Sequence, residues 1–150
     1  MPDSCRERIV AAAAARIAAI TGVPGLTVAR ERRSPVTSDE LPFVGVFEAD
    51  AQPREDWSGE RAWTLVVSAE GLADGATDTA ARTAAANLRA EVEKALYADP
   101  TLGGLARDLR AAPEPPPPQL DAEVPDHVAD FQAAFEIDFA TREDDPFTFA

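Results

Sequence analysis

The clearest pattern along the chain lies near its end, where apolar and polar residues alternate. The stretch 131–145 reads FQAAFEIDFATREDD, and its apolar positions recur every second residue. This period is typical of a β-strand with one buried face. The sequence therefore predicts a half-buried strand that begins at Phe131, joins a sheet formed by earlier elements and is the last element of the fold.

Two segments have the apolar spacing of helices. The first begins at Ser4, which stands in capping-box spacing to Glu7, and it stops before Gly22. The second has one apolar and one charged face and ends before Pro100, because the residue before a proline avoids helical backbone angles. The predicted helices cover residues 4–21 and 77–98.

Short apolar or alternating segments predict the other strands, over residues 26–32, 43–47, 63–69 and, less regularly, 106–111. The second and third of these should form an antiparallel hairpin with a long polar tip. The element order predicts an α+β fold, with a mainly antiparallel sheet of four to five strands and two helices packed on one face. A chain of 150 residues suits a single domain spanning 1–150.

The segment from about 112 to 130 is rich in proline and in acidic residues. It contains the run PEPPPPQL, which starts at Pro113. Proline lacks the N–H group that a sheet interior needs, so this run is expected to be an extended, stiff polyproline loop. The acidic residues that follow are predicted to continue it as a projecting, mobile loop within the single domain.

The chain carries a formal net charge of −13, and residues 111–145 hold ten acidic side chains with Arg142 as the only basic one. Such a field repels phosphate groups, so sequence-specific nucleic-acid binding is not expected, although an acidic wall suits a conduit through which DNA slides. A solvated acidic surface is the simpler interpretation. No apolar run reaches the length of a membrane span, so no membrane partner is expected and the cytoplasm is the default compartment.

The composition offers little catalytic chemistry. With Cys5 and His127 as its only cysteine and histidine, the chain alone forms neither an internal disulfide nor a Cys/His zinc site. A partly buried thiol and a surface imidazole are the favoured interpretations. Asp138 and the run 143–145 could hold a divalent ion, but solvated charges are favoured. We predict no enzymatic activity, no metal and no cofactor.

Charged residues near the end of the first predicted strand are candidates for a subunit interface. Arg30, Arg32 and Arg33 stand there, and Asp39 and Glu40 follow a Ser-Pro break. Arginine pairs well with carboxylates across interfaces, so these groups could join identical subunits. An ordinary exposed strand end is the alternative interpretation.

Trp57 is a further interface candidate. It lies in the polar stretch between two predicted strands and has only charged or polar neighbours in sequence. A tryptophan in such a place either folds back onto the sheet or is presented to a partner. Both interpretations remain open.

Taken in order, four segments resemble the tail terminator proteins, also called tail completion or minor tail proteins, of long-tailed phages and phage-like gene transfer agents. These segments are RERIVAAAAARIAAITGV, VARERRSPVTSDELPFVGVF, ALYADPTLGGLARDLR and FEIDFATREDDPFTF. The resemblance covers nearly the whole chain, whereas the proline-rich acidic segment does not map onto the family pattern.

The resemblance implies a structural virion protein that is not an enzyme. It would form a ring, a hexamer by the resemblance, that caps the head-proximal end of the tail tube, stops tube polymerisation and docks the neck. The implied partners are further copies of the chain, the tail tube protein and the neck or head-tail connector protein, with genomic DNA passing through the lumen. Assembly would take place in the host cytoplasm. The alternatives are a neck or head-tail joining ring protein and, from another class, a small cytoplasmic acidic binding or regulatory domain.

Overall fold

The computed structural model describes residues 1–55, 59–124 and 126–150. Within them the chain forms two α-helices, nine β-strands and one short 3₁₀ helix at Ser38–Glu40. The helices are α1 (Cys5–Ala18) and α2 (Asp78–Tyr97). The strands are β1 (Thr27–Arg30), β2 (Val36–Thr37), β3 (Phe43–Glu48), β4 (Gln52–Pro53), β5 (Glu60–Asp74), β6 (Asp108–Ala111), β7 (Ala122–Glu123), β8 (Val128–Arg142) and β9 (Asp145–Phe149).

Both helices begin at side-chain caps. Ser4 Oγ accepts a hydrogen bond from the Glu7 backbone N–H at 3.2 Å, and Thr77 Oγ1 accepts one from the Ala80 N–H at 3.1 Å. Each bond satisfies one of the donors that the first helical turn leaves unpaired. α1 starts as predicted but ends at Ala18, before the predicted limit of residue 21. α2 matches its predicted bounds of 77–98 closely.

The main sheet has the strand order β1-β3-β5-β8-β6, and β4 and β9 add to β5 and β8, which makes seven strands in the described part of the chain. β5 and β8 pair antiparallel along their whole length, and β3 pairs antiparallel with β5 as the predicted hairpin. β1 runs parallel to β3. The predicted α+β class, with a mainly antiparallel sheet, is confirmed; β4 and β9 account for the difference from the predicted strand number.

The prediction that the alternating segment is the last element of the fold was wrong. β8 starts at Val128, before the predicted start, and after the turn at 143–144 the chain returns as β9. This hairpin forms because the polar turn residues separate two strands whose aromatic rings meet. The rings of Phe139 and Phe149 lie edge to face at 6.5 Å between centroids, and the Arg8 guanidinium lies 4.8 Å from the Phe149 ring centroid.

The two helices cover one face of the sheet, as predicted. The core between them consists of apolar side chains from both helices and from alternate positions of β3, β5 and β8. The largest fully buried side chains of this core are Ile9, Val10, Ile17, Val44, Leu65, Leu88, Leu96, Phe135 and Ile137. Because strand residues alternate between faces, the intervening positions of the same strands point to the second face of the sheet.

The proline-rich acidic segment does not project as predicted. Residues 113–123, here called the strap, cross the second face of the sheet. The Gln119 and Leu120 backbone N–H groups donate to the Glu70 carboxylate at 2.9 and 3.2 Å, and the Gln132 side chain donates to the Pro116 carbonyl at 2.7 Å. Farther along, β7 pairs parallel with β2 to form a small second sheet.

A second apolar cluster explains why the strap lies flat. Val36, Phe43 and Leu72 are buried there, and Leu120 and Ala122 of the strap pack against them. Leu120 is partly buried, which removes part of this apolar side chain from water and favours the covered arrangement. The strap is therefore part of the folded domain.

Gly71 on β5 gives room to an aromatic ring. It lies opposite Phe131 in the β5–β8 register, and a Cβ atom built on Gly71 would enter the space of the Phe131 ring. We expect Gly71→Ala to displace that ring and to lower the free energy of unfolding by about 1–3 kcal/mol, measured by urea denaturation. In a Phe131→Ala background, Gly71→Ala should lower the free energy of unfolding by less than it does in the wild type. Equal losses in the two backgrounds would contradict this explanation.

Candidate interaction surfaces

Arg30 is engaged within the chain. Its guanidinium donates two hydrogen bonds to the Glu7 carboxylate, at 2.6 and 3.0 Å, and so ties β1 to the first turn of α1. The hydrogen bonds from Arg30 lower the pKa of Glu7 below its usual range. This pair is bidentate, the geometry in which arginine and carboxylate interact most strongly. Arg30 therefore has a clear role inside the subunit, and its predicted role between subunits stays a prediction.

Arg32 and Glu40 lie on either side of Ser34-Pro35 in the sequence and form an ion pair within one chain. The guanidinium donates to the Glu40 carboxylate at 2.6 and 2.7 Å and also to the Pro35 carbonyl at 3.2 Å. It lies 5.5 Å from the centroid of the Phe43 ring. These contacts close the loop between β1 and β3, so both charges are neutralised within the subunit.

The pair makes stability depend on pH. Hydrogen bonds from Arg32 lower the pKa of Glu40 from 4.5 to about 2. A carboxylate with a lowered pKa in the folded state stabilises the fold above its ordinary pKa, and this contribution is lost as the pH falls toward the folded value. We expect Glu40→Gln to melt at a slightly lower temperature than the wild type near pH 7. The difference in melting temperature should disappear as the pH falls from about 4.5 to about 2. Thermal circular dichroism measures the melting temperatures of both proteins. A difference that persists near pH 2 would contradict the role given to the Arg32–Glu40 pair.

The remaining predicted interface residues differ in their surroundings. Arg33 is the most accessible of the three arginines, with 80% of its side chain exposed and Glu31 at 3.5 Å. Asp39 accepts a hydrogen bond from the Thr37 hydroxyl within the loop. Trp57 lies outside the described residues. Of the three arginines, Arg33 therefore offers the most accessible charge to a neighbouring subunit.

The second face of the sheet carries an ion network that sequence reasoning missed. The Asp138 side chain is buried and accepts from Arg110 at 2.6 Å and from the Thr64 hydroxyl at 2.7 Å, with Arg54 at 2.8 Å. Arg110 also reaches Glu136 at 2.7 Å. Burial acts to raise the pKa of Asp138, but the hydrogen bonds and charges of its partners outweigh it, and the net shift is downward. The only signal in the sequence was the polar half of the alternating strand.

The carboxylates that the sequence offered as ion ligands do not converge. Asp138 is held by arginines, whereas the Asp145 carboxylate accepts from the Phe147 N–H at 3.0 Å and the Thr148 hydroxyl at 2.6 Å. Over residues 1–55, 59–124 and 126–150, no group of three or more acidic, histidine or cysteine side chains is arranged to hold a metal ion. Asp145 therefore shapes the start of β9.

Cys5 and His127 lie in separate places. Cys5 is fully buried in the main core, and burial raises the pKa of its thiol. The His127 ring lies 2.7 Å from an Asp78 carboxylate oxygen at the start of α2, and its backbone has a left-handed φ of 66°. The thiol is thus more fully buried than expected, and the position of His127 agrees with the interpretation of a surface imidazole.

The outward side of α2 forms a second surface of interest. Thr79, Arg82, Ala86, Arg89 and Tyr97 lie along one exposed side of the helix, with the partly buried Glu93 between Arg89 and Tyr97, and are here called the α2 stripe. Tyr97 is 42% exposed, so part of this aromatic side chain is open to solvent. A shallow recess of about 360 Å³ lies beside Arg82 and Ala86. The stripe thus combines an aromatic ring, two guanidinium groups and small residues.

No protein-family model matches the chain, and a search of curated proteins likewise finds no match. Neither helix in the described part of the chain is long and apolar enough to cross a lipid bilayer.

Proposed function

We propose that the chain is a structural ring subunit of a phage or gene-transfer-agent tail. The ring, a hexamer by resemblance to the tail terminators, caps the head-proximal end of the tail tube and stops its polymerisation. It then provides the surface on which the neck and head dock. This role needs assembly contacts and no catalysis.

The observation that carries the proposal is that all four tail-terminator-like segments belong to one folded unit. They supply, in order, α1, the strands β1 and β3, the end of α2 with β6, and the hairpin β8–β9. The turn after α2 depends on the segment's own residues: Leu102, Gly103 and Gly104 all have positive φ, at 49°, 74° and 92°. Glycine adopts such angles without strain, which gives a physical reason for Gly103 and Gly104 at this turn.

The domain has the surfaces that a ring subunit needs. A closed ring forms through heterologous contacts, in which one surface of each copy meets a different surface of the next. Here the two faces of the sheet are unlike, one covered by helices and the other by the strap and the ion network. β1 and β6 lie at the two ends of the main strand order, so each has one edge without a strand partner among the described residues, and such edges can pair with another chain.

The distribution of charge agrees with a passage for DNA. The strap carries Glu114, Asp121 and Glu123 as exposed acidic side chains, and residues 111–141 contain no lysine or arginine. Acidic surfaces repel the phosphate backbone, so DNA can pass such a wall without being held.

The decisive experiment is the length distribution of tails in particles produced with this gene deleted, viewed by electron microscopy. Overlong or ragged tubes without heads are expected, and supply of the wild-type gene in trans should restore the normal length. Tails of normal length that fail to join heads would instead assign the protein to the neck. Particles that are unchanged would overturn the proposal in favour of a binding or regulatory domain.

A further inference from the structure

Tyr97 anchors the α2 stripe. Its ring packs edge to face on Phe135, with 5.7 Å between the centroids, which fixes the orientation of the ring while 42% of the residue stays exposed. An aromatic side chain whose orientation is already fixed contributes contact area and loses little conformational entropy on binding. Tyrosine and arginine are also the residue types enriched where proteins bind one another. The stripe therefore has the composition of a binding surface.

The two arginines of the stripe have room for further partners. Arg89 forms an exposed pair with Glu93 at 3.0 Å on the same helix, with half of its side chain accessible. Arg82 is exposed and has no ion-pair partner among the described residues, although Asp78 also lines the neighbouring recess. Each guanidinium has five N–H donors, so each can bind an additional carboxylate.

The strap offers the complementary chemistry on the opposite side of the sheet. Pro115, Pro117 and Pro118 are exposed, while the Pro116 carbonyl and the Gln119 N–H are held by the sheet. A polyproline segment that is already ordered loses little entropy on binding, and aromatic side chains are its usual partners. The exposed acidic residues of the strap add negative charge on both sides of the prolines.

We propose that the α2 stripe of one copy binds the strap of the next copy in the ring, an inference that rests on the proposed ring function. The Tyr97 ring packs against the prolines, while Arg89 and Arg82, which lie in that order away from Tyr97 along α2, pair with Asp121 and Glu123, which follow the prolines in the same order along the neighbour's strap. The stripe and the strap lie on opposite faces of the sheet, so the contact is heterologous, as ring closure requires. Opposite charge and the match between an aromatic ring and prolines favour a second copy as the occupant.

Two charge-reversed variants of the full-length chain test this contact. Variant A is Arg82→Glu with Arg89→Glu, and variant B is Asp121→Arg with Glu123→Arg. Each should fold, because all four side chains are exposed, and each should lose about tenfold or more of its ring fraction because like charges then face each other. An equimolar mixture should form rings again, because the reversed stripe of A fits the reversed strap of B and the unchanged surfaces fit one another. The mixed ring alternates the two variants and closes for an even number of subunits, such as a hexamer.

Matched controls carry the same changes in charge elsewhere. Arg61→Glu with Arg142→Glu controls for variant A, and Glu143→Arg with Asp144→Arg controls for variant B; all four residues are exposed. Native mass spectrometry measures ring fraction and subunit number, and circular dichroism melting checks folding. Controls that assemble like the wild type are expected.

The outcomes separate this inference from the proposed function. If the wild type forms rings and variants A and B also form them alone, the stripe–strap contact is overturned while the ring stands. Failure of the equimolar mixture to restore rings, with both variants folded, overturns the contact as well. If the wild type forms no ring with or without tail tubes, this inference falls together with the ring itself, and the tail-length experiment decides the function independently.

Discussion

Replacing Glu70 by alanine is expected to free the strap from the sheet and to lower the free energy of unfolding by about 2–3 kcal/mol. The Glu70 side chain is buried, with a relative exposure of 4%, and its carboxylate accepts from the backbone N–H groups of Gln119 and Leu120. Hydrogen bonds to a buried charge are among the stronger ones. Their loss leaves the strap with the Gln132–Pro116 hydrogen bond, its short ladder to β2 and the packing of Leu120.

Two measurements test the role of Glu70. Urea denaturation should show the loss of stability, and amide hydrogen exchange should accelerate at Gln119 and Leu120 far more than in the centre of β5 or β8. Glu114→Ala is the matched control, because it removes an exposed carboxylate from the strap itself and should change neither quantity. Unchanged exchange at the two amides in Glu70→Ala would show that the strap is held by other contacts.

Asp138→Asn is expected to lower the free energy of unfolding by about 2–3 kcal/mol, because it removes the buried charge that organises the ion network. Asparagine keeps the size of the side chain but leaves Arg54 and Arg110 without their shared counter-charge. Both guanidinium groups are about half exposed and can be rehydrated, which keeps the loss below that of a fully buried pair.

Asp108→Asn is the matched control for this prediction. Asp108 also pairs with Arg110, at 3.3 Å, but its side chain is 55% exposed, so a change within about 0.5 kcal/mol is expected. The pKa of Asp138 is lowered in the folded state, so its contribution is present above the ordinary aspartate value of 3.8 and is lost as the pH falls below it. Wild type and Asp138→Asn should therefore converge in stability under acid. If Asp138→Asn and Asp108→Asn lowered the free energy of unfolding equally at neutral pH, burial of Asp138 would not explain the loss.

The elements that were predicted well are those whose signals are local. The capping residues Ser4 and Thr77 and the apolar spacing behind them mark both helices, and the alternation in β8 marks the longest strand. Local signals do not predict where the chain turns back to form a hairpin. The residues after Arg142 therefore looked like a continuation of the strand, although they form a turn and β9.

The ion network shows why part of the candidate surface could not be predicted. Asp138 bonds to Thr64 and to Arg110, which lie 74 and 28 positions away in the sequence. Only the β5–β8 and β6–β8 registers bring these side chains together, and a shift of one residue would send them to opposite faces. The Arg32–Glu40 pair is shorter in range, but its closure depends on the 3₁₀ turn at Ser38–Glu40.

The sequence by itself determined the α+β class, the two helices, the β3–β5 hairpin and the long β8 strand, because periodicity and caps act within a few residues. Only the tertiary structure decided that β1 runs parallel to β3, that Arg30 and Arg32 are paired within the subunit, and that the proline-rich segment lies across the sheet. Each of these features depends on contacts between residues distant in sequence, or on burial of Leu120 and Glu70, and such contacts exist only once the sheet has formed.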